Sequence, residues 1–238
     1  IAHLPAPVQR YVARTGAIGK PRVTSVHAIF DATLYSAPGS AGMSGQAHQI
    51  DIIDPPRRLF FMRTRMFGLP VSVLHDYDGD RATMRVRLAR RVDVVNLSGP
   101  QLSKAETVTI LNDIAAYAPS ALAGPEFTWK AIDDTRSEVA IHNGAHTVNA
   151  VLEFNSEGDL VDFHSSDRGE LQKDGTLKLL PWSTPLSEYR AFGGRRAPAK
   201  GEAVYHRPDG LFVYGRFALT SLHLNEAEGQ RLSHPAIL

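Results

Sequence analysis

The feature that most constrains this chain is a period of two in its apolar residues, broken again and again by short glycine-bearing turns. Val26, Ala28, Phe30, Ala32 and Leu34 alternate with His27, Asp31 and Thr33, the pattern of a strand with one buried face. Ala82, Met84, Val86 and Leu88 repeat it, with Arg81, Arg85 and Arg87 on the opposite, solvated face. Asp78-Gly79 precedes that run, Asn143-Gly144 separates Glu138–His142 from Val148, Ala150, Leu152 and Phe154, and Asp209-Gly210 precedes Leu211–Leu224. An Asn-Gly or Asp-Gly pair between alternating runs predicts a hairpin, and strands joined so tightly are antiparallel. Further strands are expected over Gln46–Asp54, ending at Pro55-Pro56, and over Arg58–Met66, Val71–Tyr77, Phe127–Ile132, Leu160–Arg168, Thr176–Trp182 and Glu202–Arg207. The Gly-, Ser- and Ala-rich stretch Ser36–Gly45 reads as a loop.

Two segments depart from this period. Pro5–Thr15 places Val8, Tyr11 and Val12 on one helical face, with Gly16 as the stop. Ser103 and Glu106 have the spacing of a capping box, and Ile110, Leu111, Ile114 and Tyr117 then recur at helical spacing up to Pro119. No repeat, linker or shift of composition divides the 238 residues, so a single domain over 1–238 is expected. About ten strands and one main helix predict a mostly β fold, because a twisted sheet of that size curls rather than staying flat. A curved antiparallel sheet packed over that helix encloses either a closed core or a mouth for a ligand.

Composition removes several functions. The net charge is +1 with histidine neutral, so no global field steers the chain onto nucleic acid. There is no cysteine, which removes disulfides, thiolate nucleophiles and Cys-ligated zinc. No apolar run reaches the roughly 20 residues of a transmembrane segment. The chain starts at Ile1, with no leader in view. Apolar residues make up 43%, enough for a real core.

Catalytic and cofactor motifs are missing: there is no G-x-S-x-G elbow, G-x-G-x-x-G, P-loop or H-E-x-x-H. Neither a cofactor nor a metal is expected. Asp76, Asp78 and Asp80 lack the glycine and glutamate positions of a calcium loop and read as a hairpin turn. In a two-residue Asn143-Gly144 hairpin, His142 pairs with Ala145 and Ile141 with His146, so the two imidazoles take opposite faces and share no metal. Asn112 and Asp113 fall beside the helix face that meets the sheet. A carboxylate there is paired or has a raised pKa, which makes it either half of a structural ion pair or a general base. Asp167 and Arg168 are the candidate partners, of which one can point inward.

Several short motifs carry a resemblance. Leu4-Pro5-Ala6-Pro7-Val8-Gln9-Arg10-Tyr11, Leu111-Asn112-Asp113, Ala118-Pro119-Ser120-Ala121-Leu122, Ser166-Asp167-Arg168, Ser183-Thr184-Pro185, Tyr189-Arg190 and the run from Gly201 to Phe217 follow in order. Together they resemble a bacterial family of uncharacterised proteins, a domain of unknown function, over nearly the whole chain. The resemblance implies a half-barrel like that of the lipoprotein carriers, in which a curved sheet and helices enclose an apolar cavity. It also favours the bacterial cell envelope over the cytoplasm.

Two functions follow as expectations. One is binding of a lipid or other apolar small molecule. Its lining would be the inward stripe Phe30, Phe60, Met62, Met84, Leu152 and Phe154, with Met66 as a soft filler. Trp129 and Trp182 fill core or line the pocket, and Arg168 and Tyr189 orient a headgroup. The other is a cofactor-independent hydrolase or isomerase acting on a small apolar substrate, with Asp113 as base or nucleophile and Arg168 or Tyr214 as electrostatic partner. Ligand identity, enzyme status and oligomeric state stay open at this level.

Overall fold

The computed structural model describes residues 1–172 and 175–226; the end of the expected domain, 227–238, lies outside the described residues. In chain order the elements are α1 (Ala6–Arg14), β1 (Ser25–Leu34), β2 (Met43–Ile52), β3 (Arg57–Met66), β4 (Leu69–Asp78), β5 (Arg81–Leu88), β6 (Val92–Ser98) and α2 (Pro100–Tyr117). A 3-10 turn at Pro119–Ala123 precedes β7 (Phe127–Ala131), β8 (Arg136–Asn143), β9 (His146–Phe154), β10 (Leu160–Ser165), β11 (Gly169–Leu171), β12 (Leu177–Leu179), β13 (Trp182–Ser183), β14 (Leu186–Phe192), β15 (Arg195–Arg207) and β16 (Gly210–Leu224).

Fourteen strands form one antiparallel sheet in the order β6-β5-β4-β3-β2-β1-β16-β15-β13-β10-β9-β8-β7, with β14 beside β15, while β11 and β12 form a separate ribbon. The sheet curls into a half-barrel around one main helix, with a short helix at the N-terminus. Helix α2 lies in the concavity: from Leu102 to Tyr117 every residue but Lys104 is buried.

Several expectations are corrected in detail. Helix α2 begins a turn before the supposed capping box, with Gly99 at φ +118° and Pro100 opening the helix. Proline at the first helical position needs no N–H partner. Ser103 therefore sits inside the helix, where its hydroxyl donates to Gly99 O at 3.1 Å and accepts from Ala82 N at 3.0 Å, and Glu106 is buried rather than capping. The hairpin registers also move by one residue. Asn143 pairs with His146 and His142 with Thr147, so the turn is Gly144-Ala145 with Gly144 at φ +56°. Likewise Asp78 pairs with Arg81 around Gly79-Asp80. Glycine takes the first central position, where a positive φ is required. His142 and His146 still face opposite sides, and the His142 ring meets the Thr147 hydroxyl at 2.8 Å.

Strands β6, β11 and β14 and the first half of β15 are additional to the expected set. Pro198 argues against a strand by removing an N–H. It is tolerated because it pairs with Tyr189 on β14, before β15 takes up β16 at Lys200.

Candidate functional site

A cavity of about 420 Å³ lies between α2 and the concave sheet. Its apolar wall comes from inward positions of the strands, including Phe30 on β1, Phe60 on β3, Val73 on β4, Met84 and Val86 on β5, and Phe217 on β16. The Phe30 and Phe60 rings both meet the Phe217 ring edge-on, at 5.9 and 6.3 Å between centroids. Ser36 lines the cavity and is exposed, which puts an opening at the end of β1.

The floor is polar and buried. Arg58 on β3 donates from Nε to Asp113 Oδ2 at 2.7 Å, from Nη1 to Glu106 Oε2 at 3.2 Å and from Nη2 to Gln49 Oε1 at 3.1 Å. Glu106 and Asp113 are seven residues apart, two helical turns, so both face the same strand. Glu106 also meets His75 Nδ1 at 3.3 Å. Asp51 stands 4.0 Å from Arg58, and its Oδ2 accepts from Gln49 at 2.8 Å. Arg168 enters from the far side. It donates to Ala105 O at 2.9 Å and Thr109 Oγ1 at 2.6 Å, lies 3.6 Å from Glu106, and stacks 5.0 Å over Trp182.

Burial sets the protonation of this group. Asp51 is pushed well above the carboxylate range by burial and then by the neighbouring Asp113 charge. Burial also raises Asp113, while Arg58 opposes the rise. Glu106 is held below its ordinary value because His75, Arg58 and Arg168 outweigh its burial. Asp113 sits directly on Arg58 whereas Asp51 stands 4.0 Å from it, so the guanidinium offsets burial more at Asp113. Arg58 and Arg168 thus face a cluster of three buried carboxyl groups, Asp51, Glu106 and Asp113.

The expected site residues divide. Asp113, Arg168, Tyr214, Phe30, Phe60, Met84 and Trp182 line the cavity, and the Tyr214 hydroxyl joins Arg168 Nη2 at 3.4 Å to Trp182 Nε1 at 3.1 Å. Met62, Leu152 and Phe154 lie in the core and are not among the lining residues. Helix α1 packs against Phe154: the Tyr11 ring is 5.5 Å from it, and the Tyr11 hydroxyl donates to Ala115 O at 2.8 Å. Trp129 and Tyr189 pack at the margin of the core, donating to Leu122 O at 3.2 Å and Leu160 O at 2.8 Å. The expected partners of Asp113 are corrected: Arg58 takes that place, Arg168 turns to the α2 backbone, and Asp167 pairs outside with Lys104 at 2.6 Å.

Arg58, Gln49, Asp51, Glu106 and His75 are functional candidates that the motif search passed over. Their signal was parity: Arg58 shares the inward register of Phe60, and Gln49 and Asp51 that of Ala47. Asn112 Oδ1, Arg168 Nε and Thr184 Oγ1 are buried without a hydrogen-bond partner, and all three residues line the cavity. Among the described residues no group of three or more His, Asp or Glu is placed to hold a metal ion.

The model of a family of unknown function, DUF6544, matches residues 1–217. A DUF1329 family protein from Desulfovibrio piger has a similar solved structure, at TM-score 0.50 and 12% identity over 98% of both chains. A LolA superfamily protein from Nitrosomonas europaea is similar at TM-score 0.47 and 10% identity, over 96% of this chain and 98% of its own. No curated protein matches the sequence. At these identities the likeness is one of fold.

Proposed function

The chain belongs to this family of unknown function, and we propose that it binds a lipid or other apolar small molecule in the cavity between α2 and the sheet. The observation that carries this reading is the cavity of about 420 Å³ with its apolar wall. Ligand pockets of ~300–1,000 Å³ with mostly apolar linings and a few placed polar groups are the common form of small-molecule site. Met43 and Met84 line it, and methionine adapts to irregular apolar shapes. A hydroxyl, ester or amide end suits Thr184, Asn112 and Arg168, each of which holds a buried polar atom without a partner. An envelope location goes with carriage of such cargo, and cell fractionation tests it.

The direct test is native mass spectrometry of freshly purified protein, followed by extraction and identification of what is bound. A stoichiometric apolar adduct is expected. Protein that arrives empty and also takes up no fluorescent fatty-acyl probe would refute the reading.

One observation favours a second reading, a cofactor-independent hydrolase or isomerase. Asp113 lines the cavity and burial raises its pKa, as a general base requires. Turnover of apolar esters or epoxides, abolished in Asp113→Asn, would establish it; a panel without turnover would dispose of it.

A further inference from the structure

Hairpins β1–β2, β3–β4 and β5–β6 all turn at one end of the sheet, the end where Ser36 opens the cavity. The first two are locked side by side, the Thr64 hydroxyl donating to Ser44 O at 2.7 Å. The β5–β6 turn joins them through Ala89 N, which donates to Pro70 O at 2.8 Å.

The tip of the β3–β4 hairpin goes against its own turn chemistry. Phe67 and Gly68 are its central residues, at φ +50° and +80°. A two-residue turn with both φ positive selects Asn-Gly, because asparagine tolerates the left-handed region and a bulky side chain does not. A phenylalanine stands there instead, 94% exposed, with Leu69 beside it 48% exposed. At the neighbouring tip, Val92 is 57% exposed behind Arg90 and Arg91.

Charge at this rim has one sign. Residues 61–75 and 84–94 hold Arg63, Arg65, Arg85, Arg87, Arg90 and Arg91 against a single acid, Asp93, which pairs with Arg87 at 2.6 Å. The chain's overall charge of +1 conceals this, because its acids lie elsewhere.

We infer that this rim docks on an anionic phospholipid surface, with Phe67 and Leu69 entering the headgroup layer and the arginines meeting phosphate. Charge complementarity selects the occupant. A second copy would bring six arginines against six. Single apolar side chains project from the hairpin tips among arginines, and buried apolar area together with attraction to anionic lipid is what sets binding at a bilayer interface. Docked so, the opening at Ser36 stands beside the bilayer. Only that last consequence rests on the binding function proposed above.

Co-sedimentation of the full chain with vesicles tests it, using phosphatidylcholine alone and phosphatidylcholine mixed with phosphatidylglycerol. Binding is expected to the mixed vesicles and to fall with added salt. Phe67→Asn should weaken it about tenfold through lost apolar burial, while its thermal midpoint holds or rises because the turn relaxes. Arg90→Gln and Arg91→Gln should each weaken it about fivefold, the fold-change for one basic residue near an anionic surface. Equal binding to both vesicle types, or variants that bind like the parent, would overturn the inference. So would a concentration-dependent dimer, or capture of an acidic protein, that Phe67→Asn abolishes while vesicle binding is unchanged. Vesicle binding by a protein that neither carries an apolar adduct nor takes up a fatty-acyl probe would leave this inference standing and remove the carrier reading.

Discussion

Arg58 and Asp113 are joined at 2.7 Å across the interface between β3 and α2, with both side chains more than nine-tenths buried. The helix is thus tied to the sheet by a buried charge pair as well as by the apolar packing of Val108, Ile110, Leu111 and Ile114. Arg58→Ala strands Asp113 and Glu106 in the interior, and breaking such a pair from one side costs about 3–5 kcal/mol. Urea denaturation measures it. A loss under about 1 kcal/mol would place the pair in solvent-like surroundings.

Asp51 gives the fold a pH dependence of opposite sign to an ordinary ion pair. Its folded pKa is raised above the usual 3.8, so the folded state holds the proton more tightly. Its contribution is greatest below that value and is lost as pH rises toward the folded pKa. Asp51→Asn should therefore be more stable than the parent at neutral pH, the gap closing as pH falls toward 3.8. Glu106 runs the other way: its folded pKa lies below the usual 4.5, so its contribution is present above 4.5 and lost on acidification. Denaturation midpoints across the acid-to-neutral range separate the two.

Val86→Phe fills the cavity from a strand position. The ring keeps the strand preference of the site and occupies ligand space. Stability should hold or rise by about 0.5–2 kcal/mol, while the adduct seen by native mass spectrometry falls sharply. Unchanged occupancy would place the ligand elsewhere.

Ser103→Ala removes the acceptor of the Ala82 backbone N–H and leaves that donor buried. The expected loss is about 1–3 kcal/mol, read by chemical denaturation. A neutral result would mean that water reaches the start of α2.

What the sequence revealed followed from local rules, and what it concealed depended on distant partners. Alternation in Val26–Leu34 and in Ala82–Leu88, and the turns at Gly79 and Gly144, identified strands because period and turn chemistry are local. Edge strand β6 escaped because its outer valines, Val92 and Val94, are exposed and blur the alternation. In the site, Asp113 was legible from its place on the helix, but its partner was not. Arg58 and Arg168 both lie 55 residues from Asp113, on opposite sides of it in sequence, and only the curl of the sheet decides which of the two becomes its neighbour. Met62, Leu152 and Phe154 have the same parity signature as lining residues, and alternation cannot say which inward side chains meet the cavity and which meet the packed core.

Among the described residues, strand β16 is the single joint of the main sheet: β1 to β6 form one wing, β15 leads the other, and β16 hydrogen-bonds to both β1 and β15. It is also translated after every strand it connects. Both wings can therefore leave the ribosome before any strand pairing joins them, each with a raw edge that invites pairing with foreign strands. The nascent chain has two sticky margins until its residues past 210 emerge, and a premature stop before that point leaves two unjoined sheets rather than a shortened half-barrel.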